Sequence, residues 1–163
     1  MATLYDESVA FLDGRGIRRY EISNFARSGH ESRHNGKYWD DAPFLGFGMS
    51  AHSYLGGRRW WNHEAFGAYC RAVEAGGGQA AVAGERVPSP RERAGEALFT
   101  GLRRAQGVAL PDFQRRHGVD PLAVWGEPLR DVFAAGLLEV AGERLRLTER
   151  GVLLSNEVFR IFV

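Results

Sequence analysis

The sequence has little cysteine, no long apolar run and almost no net charge. Cys70 is the single cysteine among 163 residues, which excludes an internal disulfide and a metal cluster held by thiolates of this chain alone. No run of about eighteen apolar residues is present, so no membrane-spanning segment is predicted. A net charge of +1 gives no electrostatic reason to expect a polyanionic partner. With an acidic N-terminus that does not resemble a signal peptide, we expect a cytoplasmic protein.

The composition and the order of helix and strand signals predict an α/β region followed by a smaller α+β region. A hydrophobic content of 44% is enough for one domain or two small ones. Helix and strand signals alternate in residues 1–75, as at the edge of an α/β barrel. Residues 76–89 are rich in Gly, Ala and Pro and predict a linker. Residues 90–163 predict three helices, a hairpin and a closing helix, which is a winged-helix-like arrangement.

Local signals place the elements of the first half. A helix is expected at 5–12, and strands at 17–22 and 44–51. Gly56 and Gly57 can take the positive φ angles of a two-residue turn, so a hairpin is expected around them. Asn62 is expected to cap a helix that contains Phe66. On that helix Cys70 is interpreted as a small buried residue.

The signals of the second half are stronger. Ser89 and Glu92 form a capping-box pattern around Pro90, ahead of a helix with one apolar stripe. Further helices are expected at 112–117, from 120 to 136 with an interruption at Pro128, and after Thr148. A hairpin is expected to turn at 141–143.

Histidine, asparagine, aromatic residues and glycine are concentrated between residues 20 and 53. HNGKYW (34–39) and LGFGMSAHS (45–53) stand out within it. Both segments resemble signature segments of the haem chaperone HemW and oxygen-independent coproporphyrinogen III oxidase-like radical-SAM family. The resemblance covers nearly the whole chain but only the C-terminal part of the family. It therefore implies a truncated member with a barrel remnant and a C-terminal winged-helix-like domain.

The resemblance implies that His34, Asn35, Tyr38 and Trp39 bind haem. An imidazole can ligate haem iron, and aromatic rings offer flat apolar faces to the macrocycle. Haem or a porphyrin would be the ligand, and a haem-accepting protein a further partner. The alternative is that His34 and Asn35 fix a buried turn while Tyr38 and Trp39 belong to the core.

For the LGFGMSAHS segment, the resemblance implies a contact with S-adenosyl-L-methionine. Gly46, Gly48, Ala51 and His52 would approach this ligand. Glycine in a strand allows a ligand to lie against the backbone. The chain has Met49-Ser50 where many relatives have Pro-Gly. The alternative is that the two glycines only permit tight packing.

The family's radical chemistry needs a 4Fe-4S cluster, held by a C-x-x-x-C-x-x-C motif that this sequence lacks. We therefore expect no catalytic residue and no cluster in this chain, which would be inactive alone. Glu21 and Asn24 lie at a predicted strand end and are expected to face a substrate cavity or to cap a turn. His30 and His34 have helical metal-ligand spacing, but no acidic ligand completes a zinc set.

A stand-alone winged-helix module that binds a protein or nucleic acid is the alternative function. The candidate recognition helix has one arginine, Arg130, against the acidic residues Asp120, Glu127 and Asp131. A helix that enters a nucleic-acid groove needs a basic surface. We therefore expect no nucleic-acid partner.

Overall fold

The computed structural model describes residues 2–162, with side chains from residue 4. The helices are α1 (Ala2–Asp13), α2 (Arg33–Trp39), α3 (Phe66–Ala80), α4 (Pro90–Gly101), α5 (Leu110–His117), α6 (Pro121–Val124), α7 (Gly126–Ala134), α8 (Glu149–Leu153) and α9 (Ser155–Phe159). The strands are β1 (Arg18–Arg19), β2 (Phe25–Ala26), β3 (His52–Leu55), β4 (Arg58–Asn62), β5 (Val82–Arg86), β6 (Val108–Ala109), β7 (Leu138–Ala141) and β8 (Arg144–Leu147).

The fold is mixed α/β with small antiparallel sheets. β1 pairs with β2, and the two three-stranded sheets have the orders β3-β4-β5 and β6-β8-β7. The chain forms two compact units, which differ from the predicted domains. One unit joins the residues up to Asp41 with those from Glu92 onward, and the other is 42–91.

The first unit contains the main hydrophobic core. Its fully buried side chains include Leu98, Leu102, Leu129, Leu145 and Val158. The apolar stripe predicted for α4 comprises Ala94, Ala97, Leu98, Leu102 and Ala105. The first four are buried, and Ala105, which lies beyond the end of α4, is exposed. The core draws on α4, α5, α7, β7, β8 and α9, so the helices and the hairpin stabilise one another by burying apolar area.

Some helix boundaries in the first unit agree with those predicted from the sequence, and others differ. Gly118 ends α5 in the left-handed conformation, with φ of 71°, and Thr148 caps α8 by accepting a hydrogen bond from the Gly151 N–H at 2.9 Å. The helix predicted from residue 120 to 136 is instead two helices, α6 and α7, which meet at the non-helical Trp125. The predicted interruption at Pro128 is wrong because this proline lies in the first turn of α7, where its missing N–H costs little.

The second unit is built on the hairpin of β3 and β4. Gly56 and Gly57 have φ of 61° and 77°, which confirms the predicted turn. The predicted linker 76–89 is wrong in its structure, since it contains the end of α3 and all of β5, which pairs with β4. Gly76 and Gly77 do kink α3, the latter with φ of 68°.

Three further predictions in the N-terminal half are corrected. The strand at 44–51 is reduced to one bridge between Phe44 and Tyr54, because Gly48 and Ser50 adopt φ of 99° and 58°, outside strand geometry. The strand at 17–22 is reduced to β1 and one bridge between Glu21 and Arg104. Asn62 does not cap α3, because its side chain donates to the Gly48 carbonyl at 2.8 Å.

Candidate functional site

The HNGKYW segment forms the short helix α2. Ser32 caps it, since its hydroxyl oxygen accepts a hydrogen bond from the Asn35 N–H at 3.2 Å. This start places His34 in the first turn with its side chain exposed, while Asn35 is half-buried. The backbone at this end is therefore fixed by Ser32, and the His34 imidazole is not needed to hold the turn.

His34 and Tyr38 form a pair on the exposed face of α2. They are four residues apart, which places them on one side of a helix. The Tyr38 hydroxyl lies 3.3 Å from His34 Nε2, and the two rings meet edge to face with centroids 5.3 Å apart. An imidazole nitrogen and a phenol oxygen thus lie side by side at an accessible surface.

Trp39 lies on another face of the same helix. The Arg103 guanidinium lies 4.7 Å from the centre of the Trp39 ring, in cation–π geometry. Trp39 Nε1 is buried without a hydrogen-bond partner. The four predicted haem-binding residues are therefore divided: the structure brings His34 and Tyr38 together and turns Trp39 toward the residues after α4.

Glu21 is fully buried, and its carboxylate holds a turn. Its Oε1 accepts from the Ser23 N–H at 2.7 Å and from Asn24 Nδ2 at 2.6 Å. Its Oε2 lies 3.4 Å from the Arg103 guanidinium. Of the two predictions for Glu21 and Asn24, turn capping is what their geometry provides, and a contact with substrate stays a prediction.

Arginines 103 and 104 connect the N-terminal segments to the C-terminal region. Arg103 contacts both Glu21 and Trp39, and Arg104 pairs with Asp40 directly after α2. Sequence reasoning missed both arginines, because their partners lie more than sixty positions away and no local pattern marks such pairs. The sequence signal available for these two arginines was their position just after the helix predicted from Pro90.

A cavity of about 190 Å³ lies beside these arginines. Arg104, Arg116 and Arg144 line it, together with Asp40 and Asp112. Charges of both signs therefore meet there. His117 also borders it, and its pKa is lowered by burial and, secondarily, by the neighbouring charges of Arg116 and Arg93.

The LGFGMSAHS segment lies in the second unit. A Cβ at Gly46 would overlap the His52 carbonyl oxygen, so tight packing explains this glycine. Gly48 has φ of 99° and open space beside it. The Ala51 carbonyl accepts from the Asn62 N–H at 3.0 Å, and His52 is exposed in β3 opposite Trp61. Of the four predicted positions, His52 is exposed, and Gly46, Gly48 and Ala51 are partly buried.

Residues 2–162 contain no group of three or more His, Cys, Asp or Glu side chains placed to hold a metal ion. His30 precedes α2, so it does not share a helix with His34 as the metal-ligand spacing required. Cys70 is partly exposed, not buried as predicted. Across the same described range, every helix is too short or too polar to cross a membrane.

Comparison with known proteins agrees with this architecture. Residues 89–154 match the family model of the HemN C-terminal domain. The solved structure of coproporphyrinogen III oxidase (HemN) from Escherichia coli, a radical SAM enzyme, matches with a TM-score of 0.76 over 97% of this chain and 39% of that chain. The two sequences are 19% identical, so this likeness concerns the fold. The fold is therefore like that of HemN, and residues 89–154 match the domain at the C-terminus of that family.

Relatives with similar sequences show to which family the chain belongs. The heme chaperone HemW of Bacillus subtilis (strain 168) is 34% identical over 99% of this chain and 42% of its own length. The heme chaperone HemW of Mycobacterium tuberculosis (strain ATCC 25618 / H37Rv) is 35% identical over 98% of this chain and 38% of its own length. The chain belongs to the HemW and HemN-like radical-SAM family. It spans about two fifths of these relatives and corresponds to their C-terminal portion.

Proposed function

We propose that this chain is the haem-binding C-terminal portion of a HemW-like protein that takes part in haem delivery, with His34 as the iron ligand. The observation that carries this proposal is the exposed His34, paired with the partly buried Tyr38 on α2 within an intact HNGKYW segment. A neutral imidazole is a common haem ligand. The relatives named heme chaperones support haem as the ligand and a haem-accepting protein as the partner.

Tyr38 sets the state of the ligand. When its hydroxyl donates to His34 Nε2, that nitrogen's lone pair is occupied and the imidazole proton lies on Nδ1. Iron binding at Nε2 then requires Tyr38 to give up this hydrogen bond, while the phenol ring stays available as an apolar face. Replacing Tyr38 by Phe keeps the ring and removes the competing donor. We expect haem affinity that is unchanged or a fewfold higher, since such a bond contributes about 1 kcal/mol.

Asn35 and Trp39 have different proposed roles. Asn35 lies next to the ligand at the start of α2 and is proposed as a haem contact. Trp39 is proposed to hold α2 in place through Arg103, because its ring packs under the guanidinium and lies away from the His34 face. A Trp39→Phe variant should weaken haem binding less than His34→Ala.

A haem titration of the purified chain tests the proposal. The His34→Ala variant should bind haem more weakly and with a shifted Soret maximum, because the iron loses its protein ligand. His117→Ala is the matched control, since His117 is a half-buried histidine on α5, remote in sequence from α2. Equal losses in both variants would indicate non-specific adsorption, and an unchanged spectrum in His34→Ala would remove His34 as the ligand.

In the whole protein, we propose that Gly46, Gly48, Ala51 and His52 approach the nucleoside of S-adenosyl-L-methionine. The open space beside Gly48 and the exposed His52 support this. The chain itself is proposed to hold no 4Fe-4S cluster, because Cys70 alone cannot replace a set of thiolates. After anaerobic reconstitution with iron and sulfide, it should form no 5′-deoxyadenosine above a protein-free control.

We further propose that α4 to α7 with the hairpin β7–β8 form a winged-helix-like arrangement used for structural or protein contacts. Its charges support this use over nucleic-acid binding. Arg146 on the hairpin pairs with Glu139 at 2.6 Å, and Arg115 on α5 pairs with Asp112 at 2.6 Å. Arginines neutralised by carboxylates contribute little to phosphate binding. Measurable binding of duplex DNA at physiological salt would contradict this part of the proposal.

A further inference from the structure

The face of α2 opposite His34 borders a second cavity of about 390 Å³. Gly36 and Trp39 line it from α2 together with the N-cap residue Ser32, at a spacing of four and three residues that brings them onto one helix face. Tyr20 and Gln106 line it from other parts of the same unit. This volume is in the range of natural ligand pockets.

Gly36 leaves this cavity open. Glycine is unfavourable inside a helix compared with alanine, so its presence needs a local reason. Packing does not provide one, since a Cβ at Gly36 would meet no atom within 4 Å. Any larger side chain at this position would project toward the space that the cavity occupies.

The cavity lining combines aromatic and hydrogen-bonding groups. Tyr20 and Trp39 are aromatic groups that a flat ring can stack against. The Tyr20 hydroxyl accepts from the Ser32 N–H at 3.4 Å, which leaves its own proton to donate. The carboxylate of Glu31 supplies an acceptor for a donor on the ligand.

The charges argue against an anionic ligand. Arg104 is the cation that lines the cavity, and it already pairs with Asp40. Glu31 adds a negative charge. A ligand carboxylate or phosphate would therefore find no excess of positive charge here, whereas a neutral ring with a donor group would fit.

We infer that this cavity binds a neutral, planar, amino-substituted heteroaromatic ring of about the size of a nucleobase. The ring stacks on Trp39 and Tyr20, and its amino group donates to Glu31. This site is separate from the His34 face and does not depend on haem, because the helix backbone lies between them.

Fluorescence titration of the full chain with 2-aminopurine tests this inference. Stacking should quench the probe in a saturable way. Gly36→Leu should weaken binding about tenfold or more, because the new side chain occupies the ring's place. Lys37→Leu is the matched control, since Lys37 is the exposed neighbour outside the cavity, and should bind as the wild type. Circular dichroism of both variants checks that they fold.

The amino group and the charge are tested separately. Glu31→Gln should weaken 2-aminopurine about tenfold while changing competition by unsubstituted purine little. His34→Ala should leave both unchanged, so failure of the haem proposal and of this one are distinguishable. No saturable quenching in the wild type, equal loss in Lys37→Leu, or tighter binding of benzoate than of 2-aminopurine would overturn the inference.

Discussion

The regions 92–162 and 42–91 differ in where their apolar side chains lie. The main core cluster is drawn from residues 94–162. Within 42–91 the buried apolar residues are Tyr54 and Ala81, while Leu45, Phe47 and Phe66 are more than half exposed. Similar hydrophobic content therefore gives one region a core and the other an apolar surface. We expect stability to depend on the first region.

The largest expected difference between the two regions is in how much an alanine substitution at one apolar residue lowers the free energy of unfolding. Leu98 is fully buried and Phe47 is 87% exposed. Leu98→Ala should lower the free energy of unfolding by about 2–5 kcal/mol, because it leaves a cavity in a packed core. Phe47→Ala should change it by less than about 0.5 kcal/mol. Urea unfolding followed by circular dichroism measures both, and similar losses would show that the two regions do not differ in this way.

Two helical glycines sharpen the contrast between packed and open sites. A Cβ at Gly151 would overlap the backbone carbonyl of Leu137, so Gly151→Ala should destabilise by about 1–3 kcal/mol. A Cβ at Gly36 meets nothing, so Gly36→Ala should stabilise by about 0.5–1 kcal/mol through helix propensity. The measurement is the midpoint of denaturant unfolding. Destabilisation by Gly36→Ala would show that this site is packed.

Glu21 tests whether the N-terminal segments belong to the stable unit. Glu21→Gln keeps the shape but places amide hydrogens against the donors of Ser23 or Asn24. We expect a loss of about 1–3 kcal/mol, since buried donors lose a charged acceptor. Glu7→Gln on the exposed face of α1 is the control. An unaffected Glu21→Gln would show that the N-terminal segments contribute little to the stability of this unit.

The smallest expected effect is the contribution of His117 to the pH dependence of stability. Burial, then Arg116 and Arg93, lower the pKa of His117 below its ordinary value of 6.5. The unfolded chain therefore binds more protons than the folded one as the pH falls. Stability should be fully present above pH 6.5 and decline as the pH falls from there toward the lowered pKa. His117→Gln should show a flatter dependence of the unfolding midpoint between about pH 5 and 7, and an equal slope would contradict the assignment.

Local signals predicted much of the fold. α4, α5 and the two hairpins follow from apolar stripes, caps and turn glycines that act over a few residues, and these predictions are confirmed. The strand predicted at 44–51 failed because alternating apolar residues also occur in a loop, and the conformation of Ser50 with φ of 58° follows from its surroundings. The division of the chain failed because the pairing of α2 with the C-terminal region rests on long-range contacts.

The arrangement of the predicted site residues could not be predicted from the sequence, and their roles stay predictions. HNGKYW marked His34 and Trp39, yet a helix turns them to different faces, and the motif gives no sign of this. Turn capping by Glu21 was one of two alternatives in the sequence, whereas its ion pair with Arg103, which lies 82 positions away, left no local signal.

The coordination of haem by His34 is tested most directly by pulsed EPR of the ferric haem complex in protein labelled with ¹⁵N-histidine. We predict a hyperfine coupling from an imidazole nitrogen in the wild type and in His117→Ala, and its loss in His34→Ala. A coupling that persists in His34→Ala would contradict the assignment of His34 as the iron ligand.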